Sequence, residues 1–523
     1  MFNGRLRLGT RRSALAWAQS LWVAERIQSL HPGTNVELTP IETRGDRITD
    51  QPLSQVEGKE FFSAEIDSAL LAGSVDVTVH SLKDLSLERP AGITLAAIPV
   101  RENPRDVIVF RADVPRRVQN GEPLRIGTSA PRRLENVPRF LAQALPGPAP
   151  VPVKCVEIRG NVDTRLGRLH AAPDSGRRLD GVVLALAGLI RLWRDARPAG
   201  GRERLTQLLR DVRWMVLPLT DCPSAPGQGA LAVECRADAH EVRGALAALN
   251  DATSARLVGA ERQVLAEFGG GCHQRFGATC IDHPAFGALL YVRGAGSKDE
   301  PLQRVSWLGM PQAPAAPVRW WDGFSAREST DVPASEISSA VDAALRDRTA
   351  PVFVAHSRAL PRDAAARLAP HRVWTSGVAS WWRLARLGVW VEGCAEGLGY
   401  EWISTTLSEP VLGLPALQGW QILSHVAAAD HWPAGEVIGT YRLPELRAQT
   451  IPDPSTLTHV YWASGTQFRE LWSRLPASVH HACGPGKTAH VIRAAGISNF
   501  TVFPSVHEWR QWLQIQTATH ATD

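Results

Sequence analysis

Four times in the first 200 residues a short apolar run ends in a polar turn and gives way to a helical pattern, and each junction carries arginine. The runs at 6–10, 125–129, 156–158 and 181–187 lead to Arg11 and Ser13, to Arg132 and Arg133, to Arg159 with Gly160 and Arg165, and to Arg191. A fifth run alternates Val75, Val77 and Val79 with Asp76, Thr78 and His80, the period of a strand, and enters a turn holding Lys83 beside Asp84. Repeated strand, turn and helix dictate an α/β fold, and in open α/β sheets the carboxyl ends of the strands face the ligand crevice. Arginine grips carboxylates through a planar two-point fork, so guanidinium groups recurring at one topological position imply a polycarboxylate ligand between two domains. Arg11 and Ser13 at a helix start form an anion site, and Thr128 and Ser129 end the second run. An acid beside a cation can stay ionised at neutral pH and stabilise a positive charge forming on a substrate. Alone, Lys83-Asp84 reads as a surface ion pair; its company favours a site.

A chain of 523 residues should make about three or four domains. A net charge of +5, with no long Lys/Arg run, argues against nucleic acid as a partner. The start of the chain lacks the apolar core of a signal peptide, and the longest apolar run, residues 182–190, is too short to cross a membrane. The seven cysteines are scattered without a C-x-x-C, which argues against a disulfide framework or a structural zinc site. The expected compartment is cytoplasmic, the expected metal none, and the expected oligomeric state monomeric.

Residues 47–62 are polar, long enough for a lid over a crevice. Residues 217–228 cross back to another strand at 231–235, and a helix over 255–268 leads to Gly269-Gly270-Gly271-Cys272-His273. A cysteine behind three glycines sits on flexible backbone, as a covalent attachment point would. Residues 311–317 read as a loop or linker, with a helix around 334–346. From Val352 the α/β pattern starts again, now rich in tryptophan, which indicates core or an aromatic-lined cleft.

The ordered set Arg11-x-Ser13-x-Leu15-Ala16 with Gln19, Thr43-Arg44-Gly45-Asp46, Gly58-Lys59, His80-Ser81-x-Lys83-Asp84, Arg159-Gly160-Asn161, Gly227-Gln228-Gly229 and Gly270-Gly271-Cys272 resembles porphobilinogen deaminase, or hydroxymethylbilane synthase, over about residues 1–345. The resemblance implies two periplasmic-binding-protein-like α/β domains, 1–102 completed by 222–238 and then 103–221, with a small α+β third domain at 239–348. It implies a dipyrromethane cofactor held by Cys272 through a thioether. Arg11, Ser13, Lys83, Arg132, Arg133, Arg159, Arg165 and Arg191 would bind its carboxylates, and Thr128, Ser129 and Gly160 belong to the same cofactor-binding set. Asp84 would assist loss of ammonia from porphobilinogen and stabilise the cationic azafulvene, as a buried carboxylate does. Four rings built this way, released by water, give hydroxymethylbilane. Ser86, Ala130-Pro131, Gln55, Ala64 and residues 273–277 depart from the usual pattern without touching the acid, the thiol or the main arginines.

Residues 349–523 resemble uroporphyrinogen-III synthase less specifically, through Arg372-Val373-Trp374-Thr375-Ser376, Gly439-Thr440-Tyr441-Arg442, Trp462-Ala463-Ser464-Gly465 and Gly484-Pro485-x-Lys487-Thr488-Ala489. That resemblance implies a two-lobed α/β region with Tyr441 assisting loss of a hydroxyl and Thr375, Ser376, Ser464, Lys487 and Thr488 binding carboxylates. The same turns also read as helix caps. Three functions remain open: a bifunctional tetrapyrrole enzyme, a deaminase with a degenerate C-terminal scaffold, and a non-catalytic anion-binding module.

Overall fold

The computed structural model describes residues 4–43, 63–197, 200–271, 274–296, 299–314, 318–324, 349–360, 363–426, 434–441 and 453–519, with 339, 341, 342, 345, 432 and 451 between them. Arg44, Gly45, Asp46, Gln55, Gly58, Lys59, Cys272, His273 and Arg442, the expected lid and most of the expected helix at 334–346 lie outside the described residues.

Two five-stranded mixed sheets form the N-terminal half. The first runs Thr34–Ile41, Gly4–Arg11, Val77–Ser81, Leu231–Arg236, Ile93–Ala97 in spatial order, and the second runs Val153–Val156, Leu124–Gly127, Gly181–Ala185, Asp106–Arg111, Val212–Val216. In each, three parallel strands are followed by one antiparallel strand that comes from the far side of a crossing between the sheets. Both sheets thus share one strand order. Asp106–Arg111 shows why the second sheet closes: Val107, Ile108, Val109 and Phe110 are all 0% exposed, so the strand is apolar on both faces and must be covered on both.

The third unit packs the helix Ala252–Glu267, capped by Asp251 accepting from Ser254 N at 2.7 Å, against an antiparallel sheet of Phe276–His283, Gly287–Ala295 and Pro301–Trp307. Beyond it lie two all-parallel sheets. One has the order Val391–Cys394, Val373–Thr375, Val352–Val354, Gln421–His425, Glu436–Tyr441; the other runs Trp320–Asp322, His459–Trp462, His480–Cys483, Phe500–Val502. Trp320–Asp322 falls on the third-domain side of the expected boundary at 348, yet it pairs with His459–Tyr461 of the last sheet.

The C-terminal region docks on the second sheet through continuous core. Trp381 packs edge-on to Phe140 and Trp390 to Phe110, with ring centroids 5.1 and 5.2 Å apart. Their indole N–H groups donate to Ala144 O at 3.1 Å and Trp214 O at 3.2 Å. Among the described residues no helix is long and apolar enough to cross a membrane.

Candidate active site

Lys83 and Asp84 belong to a single 3-10 turn, Leu82–Asp84, directly after the strand Val77–Ser81. Buried Leu82 anchors the turn, its N–H donating to Ala230 O at 3.0 Å just before the returning strand. Arg262, from the third-unit helix, donates to Ser86 O at 2.8 Å just beyond it. Asp84 itself is exposed, unlike the buried carboxylate expected from the sequence.

Behind the turn lies a polar core that links both sheets. Lys83 Nζ donates to Gln228 Oε1 at 3.3 Å, and Arg132 Nη2 donates to the same oxygen at 3.2 Å. Gln228 Nε2 donates in turn to Pro104 O at 2.7 Å and Asp106 Oδ1 at 2.8 Å. Buried Asp106 takes Arg132 Nη1 at 2.5 Å and Arg133 Nη2 at 2.7 Å. Burial alone would raise its carboxyl, but Arg132 and Arg133 outweigh burial and hold it well below the usual carboxylate range. Lys83 is pushed down to about 8, by burial above all and by Arg133 and Arg132, with Asp84 opposing.

Arg165 comes from the helix Val162–Gly167, whose Asn161 cap accepts from Thr164 N at 2.9 Å. Its Nε donates to Gly160 O at 2.8 Å. Burial, then Arg133, push it down to about 10, and Asp84 again opposes. One carboxylate thus acts on a lysine of the first sheet and an arginine of the second. The two sheets present their strand ends to each other there.

The other predicted residues divide. Arg11 ends its strand close enough to act, after burial and Arg89, on His80, which is pushed down to about 3. Arg159 and Ser129 are half-buried, and Thr128 Oγ1 accepts from Ala130 N at 3.4 Å, before the helix Pro131–Ala144, which has no side-chain cap. Ser13 is the cap of Ala14–Leu30, accepting from Ala16 N at 3.3 Å. Arg191 is bound to backbone, donating to Gly229 O at 2.6 Å. Before Cys272, Gly269, Gly270 and Gly271 hold φ of +80°, +74° and +90°, a region glycine enters freely, and a Cβ on Gly270 would meet Leu87, three residues past Asp84, at 3.2 Å.

Asp106, Gln228 and Arg262 were not singled out as site residues from the sequence. A lone acid opening the apolar strand 106–110 was the readable signal for the first, and flanking glycines for the second. Asp67, His80 and Glu234 come close enough to hold a metal, but Arg89 already bonds Asp67 at 2.6 Å and Glu234 at 2.7 Å.

Residues 6–244 match the family described as porphobilinogen deaminase, dipyromethane cofactor binding domain. A porphobilinogen deaminase from Syntrophotalea carbinolica is 42% identical over 273 residues, which are 52% of this chain and 77% of that protein. The chain belongs to the porphobilinogen deaminase family. Porphobilinogen deaminase 1 of Streptomyces avermitilis is 41% identical over 283 residues, 53% of this chain and 79% of that one. The cofactor of this family's matched domain is dipyrromethane. Among solved structures, the regulatory domain of MexT, a transcriptional activator in Pseudomonas aeruginosa, is 13% identical over 47% of this chain and 98% of that one, at a TM-score of 0.24, too slight a likeness to bear on chemistry.

Beyond the deaminase half, Thr375, His425 and Tyr441 stand at the carboxyl ends of parallel strands, the crevice edge of such a sheet. Thr375 is buried, with Oγ1 donating to Gly377 O at 3.1 Å, and Ser376 beside it is half-buried. The Tyr441 ring centroid lies 6.4 Å from that of His356 and 6.1 Å from that of His425. From the last sheet, Ser464 caps Gly465–Leu471 by accepting from Gln467 N at 3.2 Å. Lys487 and Thr488 open Lys487–Ala494, and Lys487 Nζ sits 4.1 Å over the Trp432 ring, pushed down to about 8 by burial. The two lobes therefore meet at Lys487. Tyr441 is placed with histidines instead.

Proposed function

We propose that the N-terminal half is a hydroxymethylbilane synthase that joins four porphobilinogen molecules with release of ammonia. The observation that carries this is the Lys83-Asp84 turn, set against Arg165 and the Asp106-held arginine pair, in a chain of this family. The donor set fits a polycarboxylate: Lys83, Arg11, Arg132, Arg133, Arg159 and Arg165 outnumber Asp84 and Asp106, and Arg132 Nε is a buried donor without a partner among the described residues. Ser13, Thr128, Ser129 and Gly160 line the strand ends beside them, and Arg191 holds the crossing backbone in place. Bound through Cys272, dipyrromethane supplies the nucleophilic pyrrole carbon on which the chain grows.

Asp84 stabilises the positive charge left on the substrate as ammonia departs, and the surrounding cations hold the side-chain carboxylates and orient the ring. A carboxylate aimed at a developing cation supplies a few kcal/mol, so Asp84→Asn should lower ammonia release from porphobilinogen by about a hundredfold or more. Intact mass decides the attachment: bare polypeptide mass, with Cys272 freely alkylated after incubation with porphobilinogen, would overturn it.

The C-terminal region is read as a uroporphyrinogen-III synthase, with Thr375, Ser376, Ser464, Lys487 and Thr488 binding carboxylates and Tyr441 assisting loss of the hydroxyl. Support comes from the parallel-sheet crevice and the half-buried lysine at the lobe junction. The type III ring isomer formed from porphobilinogen supports this, and its loss in Tyr441→Phe assigns the hydroxyl. The type I isomer alone would mark the region as a scaffold.

A further inference from the structure

Two segments join the first two sheets. Residues 98–105 lead out of Ile93–Ala97 into Asp106–Arg111, and residues 217–230 lead out of Val212–Val216 into Leu231–Arg236. Any change in the angle between the sheets must be absorbed in these segments. They lie back to back: Glu102 N donates to Gly229 O at 3.0 Å, and a Cβ on Gly229, whose φ is +87°, would stand 2.3 Å from Glu102 O.

One side chain from the C-terminal region binds both segments. Glu396 Oε1 accepts from Arg105 Nη2 at 2.5 Å and Nε at 3.0 Å, on the first. Its Oε2 accepts from the backbone N–H of Leu219 at 2.8 Å and of Thr220 at 3.3 Å, on the second. The Glu396 side chain is 0% exposed and that of Arg105 6%. A buried carboxylate is tolerated only with such complete pairing. Glu396 also holds φ of +57°, a left-handed conformation that a non-glycine residue rarely adopts. Glycine would relieve the backbone there, and would release both crossings.

The staple sits next to the chemistry. Arg105 is the neighbour of Asp106, the carboxylate that holds Arg132 and Arg133, and Leu217 N donates to Asp106 O at 2.9 Å. A second C-terminal contact, Asn103 Nδ2 donating to Thr406 Oγ1 at 2.8 Å, reinforces the first crossing. We infer that Glu396 is a positioning residue for the N-terminal site: by tying both crossings to the C-terminal region it sets the angle at which Lys83 and Asp84 face Arg165 and the arginine pair. The C-terminal region is then part of the frame of the N-terminal enzyme, whatever its own crevice does. The inference rests on the deaminase reading for its kinetic consequence and on geometry alone for its mechanical one.

The test uses the full chain with Glu396→Gly, Glu396→Gln and, as a control at the same docking face, Trp381→Phe, which loses a bond to Ala144 and touches neither crossing. In Glu396→Gly the Leu219 and Thr220 amides should exchange at least about tenfold faster, with kcat for porphobilinogen down about tenfold and KM within about twofold. Trp381→Phe should leave kcat and those amides unchanged while lowering the unfolding midpoint. Unchanged exchange in Glu396→Gly, or an equal kcat loss in Trp381→Phe, overturns the staple. If Glu396→Gly does not fold, Glu396→Gln decides on the same two readouts with a smaller effect in the same direction. A chain with no deaminase turnover refutes the functional reading instead, and amide exchange then decides the staple alone.

Discussion

Each half of the molecule holds a lysine pushed down to about 8 by burial, and the two keep opposite company. Lys83 sits among Asp84, Arg132, Arg133 and Asp106, a lattice of charges joined through Gln228. Lys487 sits over the face of Trp432, with burial as the only cause of its shift. In the first case internal carboxylates fix the cations, so each residue is tied to a partner of one chemical type. In the second an aromatic face does the holding, and any large ring of suitable shape could do so. The N-terminal site is therefore built from residues with little freedom to vary, the C-terminal crevice from residues with much.

The largest expected effect follows from Asp106. Asp106→Asn keeps the shape but leaves two buried guanidinium groups facing each other, and breaking such a pair costs about 3–5 kcal/mol in a urea unfolding curve. Lys487→Met removes one cation from an aromatic face and should cost less than about 2 kcal/mol. Equal losses would erase the contrast between the halves. Acid sharpens it further. The Asp106 pKa is depressed by folding, so its stabilisation is present above the ordinary carboxylate range and is lost as pH falls through the folded value. Asp106→Asn should lack that acid-dependent component.

That contrast explains what could be read from the chain. Strand ends carrying Arg11, Lys83, Asp84, Arg132 and Arg165 were legible because a strand, a polar turn and a helix start are all local patterns. Asp106 was legible only as a lone acid opening an apolar strand; its role was not, because its partners lie 26 and 27 positions away and only the fold brings them together. Gln228 reaches Lys83 across 145 positions. Ser13 and Arg191 are expected ligand groups from their place at strand-to-helix junctions, and the structure gives each a bond within the chain, one to a helix end and the other to a carbonyl. In the C-terminal region the signal was weaker throughout. Trp320–Asp322 is a strand of three residues, too short for any period to register, and it joins its sheet from about 140 residues upstream. The tryptophans there did announce core: Trp374, Trp381, Trp420, Trp462 and Trp509 are fully buried.

A smaller effect separates the lysines by pH. Both lose their charge as pH rises through about 8, whereas in the unfolded chain each stays protonated to about 10.4. The sign is that stability contributed by these groups rises between about pH 8 and 10, because there the unfolded state binds more protons. Ligand binding moves the other way. Loss of one charged donor costs about tenfold, so under the synthase reading proposed for the C-terminal region KM for hydroxymethylbilane should rise by about that factor between pH 7 and 9. KM for porphobilinogen should rise less than about threefold, since the arginines around Lys83 remain as donors when the lysine loses its charge. Parallel rises would mean that both sites lean on their lysine alike.

The smallest effect concerns two serines placed alike in the two halves. Ser13 is the side-chain cap of the helix Ala14–Leu30, which carries no acidic residue in its first turn. Ser464 caps Gly465–Leu471, where Gln467 adds a second bond by accepting from Ala463 N at 3.0 Å. Replacing a capping serine by alanine costs about 1 kcal/mol, so Ser13→Ala should lose about that much and Ser464→Ala less, its helix start being held twice. Urea midpoints of the chain before and after loading with porphobilinogen tell capping from binding. A serine that only caps loses the same amount in both states. If Ser13→Ala loses distinctly more in the loaded chain, its hydroxyl holds a carboxylate as well as a helix end, and residue type had told more than the single bond at Ala16 shows.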